Sequence, residues 1–303
     1  MPDSSSLTHL LGGGVGGTVG AIVTCPLEVV KTRLQSSNTS FHVSTAPPQD
    51  VSIRLGYSRI WSSLSQIVLE EGVGGLFRGL GPTLVGVAPS RAIYFWAYSS
   101  AKQSLNTCTT PDTPSVHILS AASAGLASSC STNPLWVVKT RLQLENEKAS
   151  SSVSTIVRTI YKESGVRGFW AGITASAWGI SETVVHFVIY EELKKRLEKM
   201  RGEREGEEGK KTALDFLGLM ACGAMSKTVA TCLAYPHEVA RTRLREVGSK
   251  YSSFWGTLGM VYREEGRKGL YRGLGTNLVR QIPNTAVMMS TYELVLYLVK
   301  RYG

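Results

Sequence analysis

The chain has 303 residues and a net charge of +10, with 43% hydrophobic and 18% charged residues. Its pI near 9.4 and mean hydropathy of −0.01 exclude an acidic, solvating chain. No run of about eighteen apolar residues marks a plain membrane span.

The basic balance suits an anionic lipid surface or an anionic substrate. Nucleic acid is not expected as a partner, because no nucleic-acid-binding fold is suggested and the cations form no single stripe. The five cysteines, Cys25, Cys108, Cys130, Cys222 and Cys232, show no Cys-x-x-Cys and no disulfide framework. The N-terminus has no basic residue before Lys31, so it reads as neither a secretory signal nor an Arg-rich transit peptide.

The first predicted helix runs from about Leu7 to Ser36, with Gly12, Gly16 and Gly20 on one smooth face and Gly13 and Gly17 beside it. Gly12, Gly14 and Gly17 also spell Gly-x-Gly-x-x-Gly, but no strand precedes them, as a dinucleotide-binding turn requires. Pro26 falls inside this helix and is expected to kink it. A polar insertion at 37–56 leads to a short amphipathic helix from Tyr57 to Glu70. The second span covers about Leu80 to Asn106, and the third about Val116 to Leu144, with small residues at Ser120, Ala124 and Ser128. A short helix near Val153 to Glu163 precedes a fourth span from Thr174 to Met200 and a mixed-charge linker at 201–211. Thr212 to Glu246, Phe254 to Glu264 and Thr276 to Tyr302 complete the pattern of long, short and long helices.

One stretch is written three times: Pro26-Leu-Glu28-Val-Val-Lys31-Thr-Arg33-Leu-Gln35, then Pro134-Leu-Trp136-Val-Val-Lys139-Thr-Arg141-Leu-Gln143, then Pro236-His-Glu238-Val-Ala-Arg241-Thr-Arg243-Leu-Arg245. Each is followed by a glycine pair seven residues apart: Gly72 and Gly79, Gly165 and Gly172, Gly266 and Gly273. The chain therefore divides into three repeats, 1–110, 111–206 and 207–303. Repeat two has 18 residues from Gly172 to Tyr190, against 19 from Gly79 to Tyr98 and from Gly273 to Tyr292. A missing residue turns later side chains by about 100° unless the helix tightens locally.

The Pro-x-[Asp/Glu]-x-x-[Lys/Arg]-x-[Lys/Arg] signature with its later Gly–aromatic–Gly element resembles the mitochondrial carrier family over nearly the whole chain. The resemblance implies an all-α membrane protein with six tilted transmembrane helices around a central cavity and three short matrix helices. It implies a multi-pass transporter of the mitochondrial inner membrane, monomeric, without a cofactor or a resident metal, and not an enzyme. Anionic lipid such as cardiolipin is the implied lipid partner.

In this family the acidic residue of one signature pairs with the basic residue of the next and closes the matrix side. Carried over, Glu28 pairs with Lys139 and Glu238 with Lys31, with Gln35 and Gln143 counted in the same gate. Trp136 stands where a carboxylate would face Arg241, so a cation–π contact between these two is the expectation. The cytosolic counterpart reads Tyr98-Ser99 with Lys102, Tyr190-Glu191 with Lys194, and Tyr292-Glu293. Its complete pair is Glu293 with Lys102.

Ionisable residues deep in a span usually face a polar cavity, and five qualify: Arg91, Glu182, His186, Lys227 and Arg280. Glu182 shares a helix face with His186, and Arg280 with Asn284. Three cations against one carboxylate suit a phosphate chain; alternatively Lys227 and Glu182 are structural partners of each other. Arg280 stands seven residues after its glycine, the register where nucleotide carriers of the family place a substrate-binding arginine. Gly179 and Ile180 resemble the Gly–aliphatic pair that contacts the base. Trp136 is a departure shared by the family's carriers of pyrimidine nucleotides and by those of NAD, FAD and folate. Ser181-Glu182-Thr183 and Arg280-Gln-Ile-Pro-Asn-Thr285 look most like pyrimidine nucleotide carriers, which exchange UTP, CTP or dTTP and their diphosphates. A carrier of NAD, FAD or folate is the alternative, and a soluble nucleotide-binding enzyme a more distant one.

Overall fold

The computed structural model describes residues 4–37, 53–108, 113–145, 152–202, 213–248 and 250–302. Most of the predicted insertion at 37–56 and of the linker at 201–211 lies outside them. The elements are α1 (Ser4–Gln35), α2 (Ile53–Gly75), α3 (Leu80–Cys108), α4 (Pro114–Leu144), α5 (Val153–Ser164), a 3-10 turn (Gly165–Trp170), α6 (Ile173–Trp178), α7 (Ile180–Gly202), α8 (Ala213–Ala234), α9 (Pro236–Leu244), α10 (Phe254–Leu270) and α11 (Leu274–Tyr302). Every element among the described residues is helical, as expected of an all-α chain.

Two spans differ from the single helices expected. The fourth divides at Gly179, where Glu182 N–H reaches Gly179 O at 3.2 Å, a three-residue rather than four-residue turn. This tighter winding falls in the stretch that is one residue short. The fifth divides at Tyr235, next to Pro236, which has no N–H to continue the ladder. Glu238 N–H instead bonds Tyr235 O at 2.9 Å. Pro26 and Pro134 occupy the same place within unbroken helices.

The most extensive packing joins α3 to α4, α7 to α8, and α11 back to α1, so the first and last helices meet and close a ring. Small residues permit these approaches. A Cβ on Gly16 would lie 2.8 Å from Met288 O, and one on Gly20 3.2 Å from Asn284 Oδ1, so this stripe of α1 faces α11. The neighbouring stripe at Gly13 and Gly17 faces open space. On α4, Ser120, Ala124 and Ser128 are buried, and Ser128 Oγ donates to Ser90 O of α3 at 3.0 Å.

Each short helix fills one apolar cluster under its signature. Ile67 of α2 packs with Cys25, Val29 and Val30; Ile156 and Ile160 of α5 with Val137, Val138 and Leu142; Phe254 and Val261 of α10 with Ala240 and Leu244. Large apolar side chains are also exposed, among them Phe95, Trp96, Leu233 and Ile282, the last by 74%, which suits lipid better than water. By length and composition, one helix among the described residues, Gly13–Gln35, is apolar enough to cross a membrane. The other spans are diluted by the polar and small side chains they turn inward.

Candidate functional site

The three signatures converge at one end of the ring. Lys139 Nζ meets Glu28 Oε1 at 2.5 Å, and Lys31 Nζ meets Glu238 Oε2 at 2.5 Å. Both lysines have side chains only 9% exposed. Taking such charges out of water is costly, so their partners must be held in place.

A second ring provides that hold. Arg33 forms two bonds to Glu71, at 2.7 and 2.8 Å, Arg141 reaches Glu163 at 3.0 Å, and Arg243 reaches Glu265 at 2.6 Å. The Nε of each arginine donates onward to the next signature: Arg33 to Gln143 O, Arg141 to Arg245 O, and Arg243 to Gln35 O, all at 3.0–3.1 Å. Thr32 donates to Gln143 Oε1 and Thr242 to Gln35 Oε1, at 2.9 and 2.8 Å. Gln35 Nε2 donates to the Tyr235 hydroxyl, which donates to Arg272 O. These arginines, threonines and Tyr235 were not singled out in the sequence, although an arginine two residues after the signature cation recurs in every copy.

The marker glycines belong to the same lattice. Gly79, Gly172 and Gly273 have φ of +79°, +74° and +84°, and a Cβ on each would approach Lys139 O, Arg241 O or Lys31 O within 3.2–3.4 Å. Glycine alone tolerates both the left-handed backbone and the close approach.

The third pair differs from expectation. The cation over the Trp136 ring is Lys139, at 5.0 Å, and not Arg241. Arg241 lies instead 3.4 Å from Glu238, three residues back on its own helix. Trp136 Nε1 donates to Thr132 Oγ1 at 2.9 Å, which fixes the ring. A polar cavity of about 320 Å³ opens beside it, walled by residues of all three signatures: Glu28, Lys31 and Gln35 on one side, and Trp136, Arg241 and Arg245 on the other.

Among the mid-span ionisable residues, Lys227 and Glu182 pair at 2.6 Å, and Thr231 also donates to Glu182. His186 Nδ1 contacts Ser226 Oγ at 3.1 Å. Asn284 Oδ1 receives Thr24 Oγ1 of α1 at 3.4 Å. Gly179 abuts the buried His237, and Ile180 packs over Gly125. Glu182, His237 and Glu238 present ligand atoms within 4.8 Å of one another, but both carboxylates are already taken by lysines. Arg91 is exposed on α3, and Arg280 is half-buried on α11 with its Nε enclosed. Among the described residues neither arginine has an ion-pair partner.

At the opposite end, Tyr98 OH bonds His117 Nδ1 at 2.7 Å, while Glu191 and Lys194 make no ion pair among the described residues. The side chain of Glu293 lies outside the described residues, and the expected Glu293–Lys102 pair with it.

A ring of helices built from three repeats and latched at one end by ion pairs defines a solute carrier. A family model described as mitochondrial carrier protein matches residues 2–108, 110–201 and 212–303. The chain belongs to the mitochondrial carrier family. It is 54% identical to zebrafish (Danio rerio) solute carrier family 25 member 36-A, over 98% of this chain and 99% of that protein. It is 49% identical to human (Homo sapiens) solute carrier family 25 member 33, over 98% and 96%. Mitochondrial carrier protein rim2 of Schizosaccharomyces pombe is 36% identical over 97% and 90%.

Proposed function

We propose that this chain is a multi-pass carrier of the mitochondrial inner membrane that exchanges pyrimidine nucleotides by alternating access. The ion pairs Glu28–Lys139 and Lys31–Glu238 act as the matrix gate, so the conformation described is closed on that side. Gln35, Gln143 and Trp136 brace it, and Lys102, Glu191, Lys194 and Glu293 form the cytosolic counterpart. The carrier works as a monomer among anionic lipids, with the three repeats as one transport body.

The observation that carries this reading is Arg280. It is a charged side chain in mid-span that makes no ion pair among the described residues, where hydrocarbon would cost at least ~2.5–3.5 kcal/mol. A phosphate chain supplies the missing anion, and the planar guanidinium fork matches it. The exposed Arg91 adds a second cation for the polyanion. Lys227 serves less directly, because Glu182 already neutralises it.

Liposomes holding the purified carrier test the proposal against a panel of UTP, CTP, dTTP, ATP, NAD, FAD and folate. The expected outcome is exchange of the pyrimidine nucleotides, with Arg280→Lys raising the apparent KM and Arg280→Ala abolishing exchange at an unchanged melting temperature. Exchange of NAD, FAD or folate in their place would overturn the substrate assignment. Normal exchange by Arg280→Ala would move the binding site elsewhere.

A further inference from the structure

The three seams of the signature ring are not equivalent. At two of them a carboxylate meets a lysine, and a glutamine accepts a threonine hydroxyl. At the seam between repeats two and three, the carboxylate is replaced by Trp136 and the glutamine by Arg245. The negative partner is missing and a positive charge has been added.

Arg245 is 6% exposed. Its Nη2 donates to Asn133 Oδ1 at 2.8 Å and its Nη1 to Thr140 Oγ1 at 3.4 Å, both neutral acceptors. Its Nε is enclosed and has no hydrogen-bond partner among the described residues. Arg241 lies four residues earlier and lines the same cavity. Its carboxylate neighbour, Glu238, is shared with Lys31. Around the cavity four cations, Lys31, Lys139, Arg241 and Arg245, stand against two carboxylates, Glu28 and Glu238. A buried cation without an anion is strongly disfavoured, whereas one bound to an oxyanion through charged hydrogen bonds is stabilised.

We propose that this seam is an oxyanion site: a phosphate-class anion seats in the cavity between Arg241 and Arg245 and substitutes for the carboxylate that position 136 lacks. The volume of about 320 Å³ exceeds the space of several waters, at about 30 Å³ each, and so admits a tetrahedral ion. Asn133, Thr140 and Ser176 offer further polar groups on its walls. The bound anion completes the third pair of the ring, so matrix closure depends on it. The inference rests on the charge balance of this seam and not on which nucleotide is transported.

The test is a thermal melt of the purified carrier in detergent, in buffer free of phosphate and sulfate, titrated with inorganic phosphate and separately with UTP. Phosphate should raise the melting temperature saturably, by about 3 °C at tenfold the half-saturating concentration. Arg245→Gln, which installs the residue of the other two seams, should abolish that rise. Trp136→Glu, which restores the carboxylate, should abolish it independently. Melting without phosphate shows that each variant is folded. No response of the wild-type protein to tens of millimolar phosphate would overturn the site, as would an undiminished response in both variants. A response to UTP alone, lost in Arg245→Gln, would instead assign these arginines to the substrate and also overturn a free oxyanion site. Failure of the nucleotide reading would appear separately, in the liposome panel.

Discussion

Replacing Glu28 by glutamine leaves Lys139 with its charge in place and its counter-ion gone. The pair closes at 2.5 Å, with side chains 9% and 23% exposed. Breaking a fully buried pair costs about 3–5 kcal/mol, and an exposed one contributes about 0–1 kcal/mol. Lys139 borders a polar cavity that water can enter and keeps the Trp136 ring at 5.0 Å, so the expected cost falls between, at about 2 kcal/mol. That weakens the closed state about thirty-fold, at 1.4 kcal/mol per factor of ten. Lys139→Gln should cost a similar amount. The double variant buries no charge at this seam, so it should cost about 2 kcal/mol as well, not the sum of the two. Melting temperatures of wild type, both single variants and the double variant measure that coupling, with exchange rates recorded alongside. If the effects of the single variants add to within about 0.5 kcal/mol, the residues do not act as a pair and the gate assignment loses its physical basis.

Trp136→Phe keeps a ring face for Lys139 and should lower the melting temperature less than Trp136→Ala; equal losses would show that the ring does not hold the cation. Gly16→Ala places a methyl 2.8 Å from Met288 O and should cost about 1–3 kcal/mol in a melt, whereas Gly13→Ala meets nothing and should be neutral or slightly stabilising. The reverse order would mean that α1 presents the other stripe to α11. Arg33→Lys loses the two-pronged contact with Glu71 and the bond to Gln143 O, so it should cost about 2 kcal/mol by the same measurement. An unchanged melt would remove the second ring from the account of closure.

The repeated signature made the ring legible, because three related stretches in register admit few arrangements. Its resemblance to the carrier family implied Glu28 meeting Lys139 and Glu238 meeting Lys31, and both contacts lie at 2.5 Å. The partner of Trp136 was not legible in the same way. Lys139 shares its helix and lies three residues on, while Arg241 belongs to another helix and is drawn back to Glu238. The choice between them depends on helix rotation, which no spacing encodes. The interruption at Tyr235 was equally hidden, since Pro26 and Pro134 sit in unbroken helices under almost the same local sequence. Lys227 and Glu182 left two readings open in the sequence, and the structure pairs them at 2.6 Å.

The departures from threefold regularity are not scattered. Trp136 in place of a carboxylate lines the cavity beside the contact between repeats two and three, while its ring edge meets Gly86 of repeat one. Arg245 in place of glutamine, the short turn at Gly179 and the break before Pro236 adjoin that contact. So does Ala171, which stands where Arg78 and Arg272 brace Glu71 and Glu265 at 3.3 and 3.0 Å. The polar cavity borders this contact too, and the first signature closes its far wall. The other two seams are held by direct pairing of opposite charges, which requires nothing from solution. This one keeps the Arg141 bond to Arg245 O but sets Arg241 and Arg245 on the cavity wall with no carboxylate from position 136, so its strength depends on what enters. A carrier must release its latch in every cycle, and a ring of three equal ion pairs would offer no preferred place to begin. With two seams latched internally and the third reliant on a mobile anion, opening starts where the protein supplies no counter-charge of its own. Restoring that charge with Trp136→Glu should then stabilise closure while slowing exchange, and exchange at or above the wild-type rate would contradict this order of events.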